Sequence, residues 1–350
     1  MKTNPGNFFE DFHVGQKLNH ATPRTLTTGD AALYQALYGS RFALQSSATF
    51  AQFCGLPHSP LDDLLVFHTV FGKSVPDVSL NAVANLGYAQ GRFLRPVYPG
   101  ETLLAHSEVI GLKENSNRQT GVVYVHTQGM NEKDEGVLTY VRWVMVRKRD
   151  PEAAVPAAVV PQLAESVAVA DLHVPAKLNF DTLFETAQSG SKHLWDDYTV
   201  GEKIDHVDGV TVEESDHMLA ARLYQNTARV HFNQFTEGQG RFGRRLIYGG
   251  HVISLARAIS FNGLGNAFLI AAINGGRHVN PLFAGGTVFA WSQVLDKQPL
   301  PHRKDAGALR LRLVATKDLP CAGFPDKDAG GAYPDSVILD FDYWAILPRG

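Results

Sequence analysis

Five stretches of the chain alternate apolar and polar positions with a period of two: GVVYVHTQG, VLTYVRWVMVRKR, TVFAWSQVL, LRLRLVA and VILDFDYWAIL. Successive side chains of a strand point to opposite faces, so this alternation predicts antiparallel strands with one buried face. Two other runs are apolar on nearly every side: LLVFHTVFG at residues 64–72 and HVISLARAISF at residues 251–261. A helix that is apolar all round belongs in the interior. Ahead of the first run, Asp30 is placed to cap a helix carrying Leu33, Leu37 and Tyr38. One buried helix and several long strands recur on either side of the middle of the chain. The fold class this predicts is α+β: two tandem domains, each an antiparallel sheet wrapped around a central buried helix.

The two sides repeat each other. FFEDFHVGQKLNH from Phe8 aligns with LWDDYTVGEKIDH from Leu194 at an offset of 186 residues. That register carries on through Asp30 with Asp216, Leu33 with Leu219 and Tyr38 with Tyr224. GRFLRPVYPGETL from Gly91 meets GRHVNPLFAGGTV from Gly276 at an offset of 185, and LTYVRW from Leu138 meets LDFDYW from Leu339 at 201. The second copy is therefore longer by about 16 residues, and the Pro/Gly/Asp-rich stretch at 317–336 reads as an inserted loop. Between the copies lies an Ala-, Pro- and Val-rich segment with almost no aromatics, which predicts an extended linker. The expected division is 1–150 and 191–350 for the domains and 151–190 for the linker. Packed together, the two copies would form a dimer within one chain.

Length and charge narrow the class. The 350 residues suffice for two cores without a disulfide or metal. A formal net charge of −3 gives no basic footprint for a phosphate backbone, so no nucleic-acid partner is expected. Cys54 and Cys321 stand far apart in no ligand spacing, which fits a reducing compartment. The opening MKTNPGNFFEDFHVG has one Lys and no apolar run of the leader type, and no stretch approaches the ~18 apolar residues of a membrane helix. The expectation is a cytoplasmic protein with no membrane partner. GLGNAF lacks the third glycine of a dinucleotide fingerprint and follows no strand, no nucleotide loop or hydrolase elbow is present, and the histidines are too scattered for a metal site.

The order of these parts resembles the MaoC-like dehydratases, whose fold is the hotdog. In that family a phrase of the form F-x-D-F-x-x-G opens the domain, and P-V-x-P-G-(D/E)-T-L marks a central strand after the buried helix. Here they read FFEDFHVG and PVYPGETL in the first copy, LWDDYTVG and PLFAGGTV in the second. More narrowly, ATPRTLTTGDAALYQALYGSRFAL and the run from Leu61 to Leu103 resemble the branch acting on mesaconyl-CoA. The resemblance implies a hydro-lyase that reversibly hydrates mesaconyl-CoA to β-methylmalyl-CoA, in acetyl-CoA assimilation by the ethylmalonyl-CoA route. It implies no metal or redox cofactor, since CoA enters as the substrate thioester, and a homo-oligomer. Alternatives on the same fold are an (R)-specific enoyl-CoA hydratase of other acyl chains, a thioesterase, or a non-catalytic acyl-CoA-binding protein.

Members that hydrate enoyl-CoA carry G-D-x-N-P-x-H, whose Asp and His must reach one water from a single loop. In the first copy the two positions are Ser40 and Gln45, neither of them a base, so this copy reads as catalytically empty. In the second they are Asn226 and His231. An amide can orient a water but cannot take its proton. Either His231 performs both transfers or a carboxylate comes from elsewhere, from Asp62, Asp63, Asp216 or Glu237. The alternative for His231 is a packed or capping histidine, and for Asp62 and Asp63 the capping of the helix they precede. Tyr248, Gly249 and Gly250 enter the second buried helix. There the Gly250 amide is placed to polarise the thioester, or the glycines simply make an entry turn. Arg241, Arg244 and Arg245 are candidates for the CoA phosphates, Asp63 and Tyr248 for other substrate contacts, and Arg41 for the free carboxylate of the substrate. A solvated basic loop is the alternative for the arginines.

Overall fold

The computed structural model describes residues 2–180 and 186–350. Among these, ten strands form one antiparallel sheet in the order β1-β3-β4-β5-β2-β7-β10-β9-β8-β6. The first half supplies β1 (Lys17–Thr25), β2 (Ala82–Phe93), β3 (Thr102–Glu114), β4 (Thr120–Met130) and β5 (Gly136–Arg147). The second supplies β6 (Lys203–Thr211), β7 (Leu269–His278), β8 (Thr287–Pro299), β9 (Ala306–Lys317) and β10 (Val337–Pro348). The halves meet where β2 pairs with β7, Tyr88 opposite Gly276 and Gly91 opposite Ile273. At the repeat offset these two pairs are one pair with its members exchanged, so a pseudo-two-fold axis passes between them. The repeat extends to side chains: His20 and His206 each place Nε2 2.8 Å from a serine Oγ, Ser107 in one half and Ser292 in the other.

Each half wraps its strands around one helix. In the first half α1 (Thr28–Tyr38) precedes the buried α2 (Asp63–Ser74). In the second, α3 (Glu214–Leu223) and the one-turn α4 (Arg229–Phe232) precede the buried α5 (Gly249–Ile259). α2 and α5 run antiparallel across the pseudo-axis. His68 of α2 lies 3.2 Å from Ser254 of α5, and the Phe71 and Tyr248 ring centres are 6.0 Å apart. A single core spans both halves, with Phe67, Val70, Ile253, Ala256 and Leu313 among its fully enclosed side chains. A side chain of the Leu or Phe class buried this way contributes roughly 1.5–3 kcal/mol.

The strands predicted from alternation are β4, β5, β8, β9 and β10, and the stretch at 317–336 is the connection between the last two. Several local expectations need correction. Asp30 is not the cap of α1. Thr27 is, and Asp30 sits three residues in, returning its carboxylate to the Thr27 backbone in a capping box. The P-V-Y-P-G phrase is the turn before β3, the strand next to the edge, and not a central strand. The linker is more than a spacer. Val159 bridges to Leu112, the Val167 amide donates to Asn274 Oδ1 at 2.8 Å, and Trp344 Nε1 donates to the Val167 carbonyl at 3.0 Å. Leu178 and Phe180 are buried. Residues 181–185 of that predicted linker lie outside the described residues.

Candidate active site

The C-terminal half of α2 and the N-terminus of α5 meet in a cluster of histidines and tyrosines. Five elements supply it: His68 from α2, His217 from α3, His231 from α4, His251 from α5 and His278 from β7. The His231 ring centre lies 5.3 Å from that of Tyr248 and 6.3 Å from that of His217. Burial is the leading cause that pulls all five imidazoles below their ordinary range, to about 4 for His231 and His278 and about 3 for His68, His217 and His251. All five are therefore neutral near pH 7.

Hydrogen bonds then fix which nitrogen of His231 and His217 is basic. His231 Nδ1 lies 3.0 Å from the Leu246 carbonyl. A carbonyl only accepts, so Nδ1 carries the proton and Nε2 is the lone-pair nitrogen. His217 Nε2 accepts the Tyr248 backbone N–H at 3.0 Å. Tyr224 donates to the Tyr38 hydroxyl at 2.8 Å, and the Tyr38 hydroxyl pairs with His251 Nδ1 at 3.0 Å. His278 Nε2 pairs with the Tyr88 hydroxyl at 3.1 Å. His68 reaches Ser254 and, at 3.4 Å, the Tyr248 hydroxyl. Among the described residues, no protein group meets His231 Nε2, and its ring is only half-buried.

Tyr248 is the N-cap of α5 and its side chain does not cap. The first amides of the helix are thus left without intrahelical acceptors, at the positive end of the helix dipole. Close packing demands glycine here. A Cβ on Gly250 would lie 2.4 Å from the Tyr248 ring and 2.6 Å from that of His68, and one on Gly249 would lie 2.3 Å from His278. Asn226 is buried, and its Oδ1 accepts the Ala228 amide at 3.1 Å, closing the turn that leads into α4. His231 and Tyr248 are thus brought together with Gly249 and Gly250 at one end of α5, and Asn226 sits in the turn that leads to α4.

Asp63 is not brought there. Its carboxylate accepts the Ile270 amide at 2.8 Å and sits within electrostatic reach of Arg257. Arg257 is eight residues along α5 from Gly249, about 12 Å at 1.5 Å per residue. Asp62 and Asp63 therefore belong to the opposite, pseudo-symmetric end, beside a small pocket lined by Ser40, Gln45 and Asp62. There Asp62 caps α2 through the Leu64 amide. None of Asp62, Asp63, Asp216 and Glu237 pairs with His231 among the described residues. Arg245 is held by Glu214 and Met218 of α3. Arg241 and Arg244 lie over Phe242 and Phe283 on an exposed loop, and Arg41 is exposed in the first half. Sequence reasoning passed over His68, His217 and His278. The signal for His278 lies in the repeat, where a histidine replaces Phe93 of the first copy.

A family model described as mesaconyl-CoA hydratase matches residues 2–320. The chain belongs to that family. It is 64% identical over 348 residues to a β-methylmalyl-CoA dehydratase of Chloroflexus aurantiacus, covering 99% of each chain. It is 60% identical over 349 residues to a mesaconyl-CoA hydratase of Cereibacter sphaeroides, covering 100% of each. Among solved structures, a putative MaoC domain protein dehydratase from Chloroflexus aurantiacus superimposes with a TM-score of 0.96 at 64% identity, over 100% of this chain and 99% of that one. A Mycobacterium tuberculosis protein described as a double hotdog fold matches with a TM-score of 0.76 at 27% identity, over 98% of this chain and 99% of that one. The architecture is the double hotdog of the MaoC-like dehydratases. Among the described residues no helix is long and apolar enough to cross a membrane.

Proposed function

We propose that this protein is a hydro-lyase that adds water reversibly across the double bond of mesaconyl-CoA to give β-methylmalyl-CoA. The observation that carries the reading is identity of 60–64% over essentially the full length to two enzymes bearing those names. The site geometry supports a division of labour. His231 Nε2, neutral and unclaimed, takes a proton from water as its oxygen attacks the β-carbon. Electron density moves to the thioester oxygen, where the Gly250 amide at the positive end of α5 stabilises the enolate-like charge. The imidazolium then returns its proton to the α-carbon, so one water is consumed and no net proton is left behind. Asn226 shapes the turn that presents α4, and the Tyr248 ring walls the site beside His231.

Hydration leaves the oxidation level unchanged, so the reading requires no redox cofactor, and the proton transfers assigned to His231 need no metal. Arg241 and Arg244, on an exposed loop beside aromatic rings, are suited to the phosphates of a CoA thioester. The setting is the cytoplasmic pool of CoA esters, in acetyl-CoA assimilation by the ethylmalonyl-CoA route, and association of whole chains into a homo-oligomer belongs to the same reading. The test is direct. Mesaconyl-CoA should lose its conjugated enoyl-thioester absorbance on addition of the protein, with no free thiol released. Thiol release would mark a thioesterase. Tight binding without turnover across enoyl-CoAs would mark an acyl-CoA-binding protein, the reading that Asn226 in place of a carboxylate favours.

A further inference from the structure

Arg142 of β5 is fully buried, and among the described residues no carboxylate pairs with it. Its Nη2 donates to Ser74 Oγ at 2.8 Å, both Nη atoms reach Ser79 Oγ at 3.4 Å, and Nε has no partner. Its guanidinium lies 4.2 Å over the Phe71 ring centre, and Phe71 in turn lies 6.0 Å from Tyr248. The cation is thus one side-chain layer from the α5 N-terminus. Tyr88, opposite Arg142 on β2, leads through its hydroxyl to His278 at the same place. The hydroxyls of Tyr88, Tyr140 and Tyr248 surround it electrostatically. Two serine contacts and the partial charge at the end of α2 do not offset the burial of a full charge.

The pseudo-symmetric position shows what such a cation needs. By the repeat, Arg142 corresponds to Tyr343 and Phe71 to Arg257. The cation and the ring have exchanged elements, and Arg257 lies 5.8 Å over Tyr343. At that end the protein itself places a carboxyl pair beside the cation, with Asp62 in electrostatic contact with Arg257. At the Arg142 end the equivalent of Asp62 is Tyr248, and the equivalent of Asp63 is Gly249.

We propose that Arg142 recognises the free carboxylate at the far end of the acyl group, making this site selective for monothioesters of short dicarboxylic acids. The inference deepens the proposed hydration of mesaconyl-CoA and rests on it for the identity of the acyl group. A guanidinium with an unused edge suits a carboxylate fork. The bound anion would stand where the carboxyl side chain of Asp62 stands in the other half.

The test is binding, read by calorimetry, of succinyl-CoA against butyryl-CoA. The two share a four-carbon acyl chain, and only the first carries the carboxylate. The wild-type protein is expected to bind succinyl-CoA at least tenfold tighter. Arg142→Met should abolish that preference, and Arg142→Lys, which keeps the charge without the fork and covers the case in which the Met variant fails to fold, should reduce it several-fold. The ratio of kcat/KM for mesaconyl-CoA over crotonyl-CoA should fall about 100-fold in Arg142→Met. A wild-type protein without the succinyl preference, or a preference that survives both substitutions, overturns the assignment. An Arg142-dependent preference without hydration of mesaconyl-CoA would leave it standing and overturn the proposed function instead.

Discussion

Tyr38 and Tyr224 occupy the same position of the two repeats, and their hydroxyls meet at 2.8 Å across the pseudo-two-fold axis. A repeat-related pair in direct contact binds the halves at their centre of symmetry. The symmetry is broken one step further on, because Tyr38 pairs with His251, whose equivalent in the first copy is Leu65. Each link is buried, so removing one hydroxyl strands its neighbour. Tyr38→Phe and Tyr224→Phe should each cost about 1–3 kcal/mol. The double variant should cost clearly less than the sum, as one network is lost twice. Chemical denaturation of the three variants checks this, and full additivity would contradict it.

His231→Ala should lower kcat by roughly 10²–10⁴, the usual contribution of a positioned base. Binding of a saturated acyl-CoA should be little changed, because Leu246 is the protein partner of the ring and its carbonyl lies at a half-buried site. The kinetic assay is loss of enoyl-thioester absorbance. His217→Ala is expected to act differently, removing the acceptor of the Tyr248 amide and loosening the entry to α5, so that KM and thermal stability move with kcat. A near-normal rate for His231→Ala would remove this residue from the chemistry.

Much of this arrangement is legible in the sequence, and the rest fails for physical reasons. β4, β5, β8, β9 and β10 alternate in sequence, and part of each also alternates between buried and partly exposed positions, although β9 and β10 are buried over most of their length. β1 and β6 close the sheet edges, are mostly exposed, and carry almost no pattern. β2 and β7 join the halves, and β7 is buried on nearly every residue, so neither shows a period of two. The family resemblance points to His231, Asn226 and the glycines of α5, and the repeat carries the same positions to Ser40 and Gln45 in the first copy. Neither could reveal that α2 and α5 run antiparallel, which sends Asp62 and Asp63 to the opposite end from His231. The contacts of Arg142 depend on the same crossing and leave no local trace.

The histidine cluster predicts acid sensitivity. His68, His217, His231, His251 and His278 are held neutral in the folded protein, with pKa values of about 3 to 4. In the unfolded chain each titrates near 6.5. Between those values the unfolded state binds more protons than the folded state, so stability is present above about pH 6.5 and falls as the pH drops towards 4. The slope is up to about 1.4 kcal/mol per pH unit for each group that stays neutral on folding. Urea midpoints measured from pH 7.5 to 4.5 should decline steeply below 6.5. Replacing His251, the buried end of the hydroxyl chain, with Gln should flatten that decline even where it lowers stability at pH 7.5.

Asp63 offers a test of the division between the two ends of α5. Its carboxyl is buried, accepts the Ile270 amide through Oδ2, and is pushed up to about 8 by desolvation and then by the neighbouring Asp62. Near pH 7 it is therefore largely protonated, and an amide has nearly the same shape and keeps an acceptor oxygen. Asp63→Asn should leave the hydration rate within about twofold, because the residue lies near Arg257, which stands about 12 Å along α5 from Gly249 at 1.5 Å per residue. Asp63→Ala leaves the Ile270 N–H buried without its acceptor and should cost roughly 1–3 kcal/mol of stability. Paired rate and denaturation measurements on the two variants separate the roles. A large rate loss in Asp63→Asn with unchanged stability would instead bring this carboxyl into the chemistry beside His231.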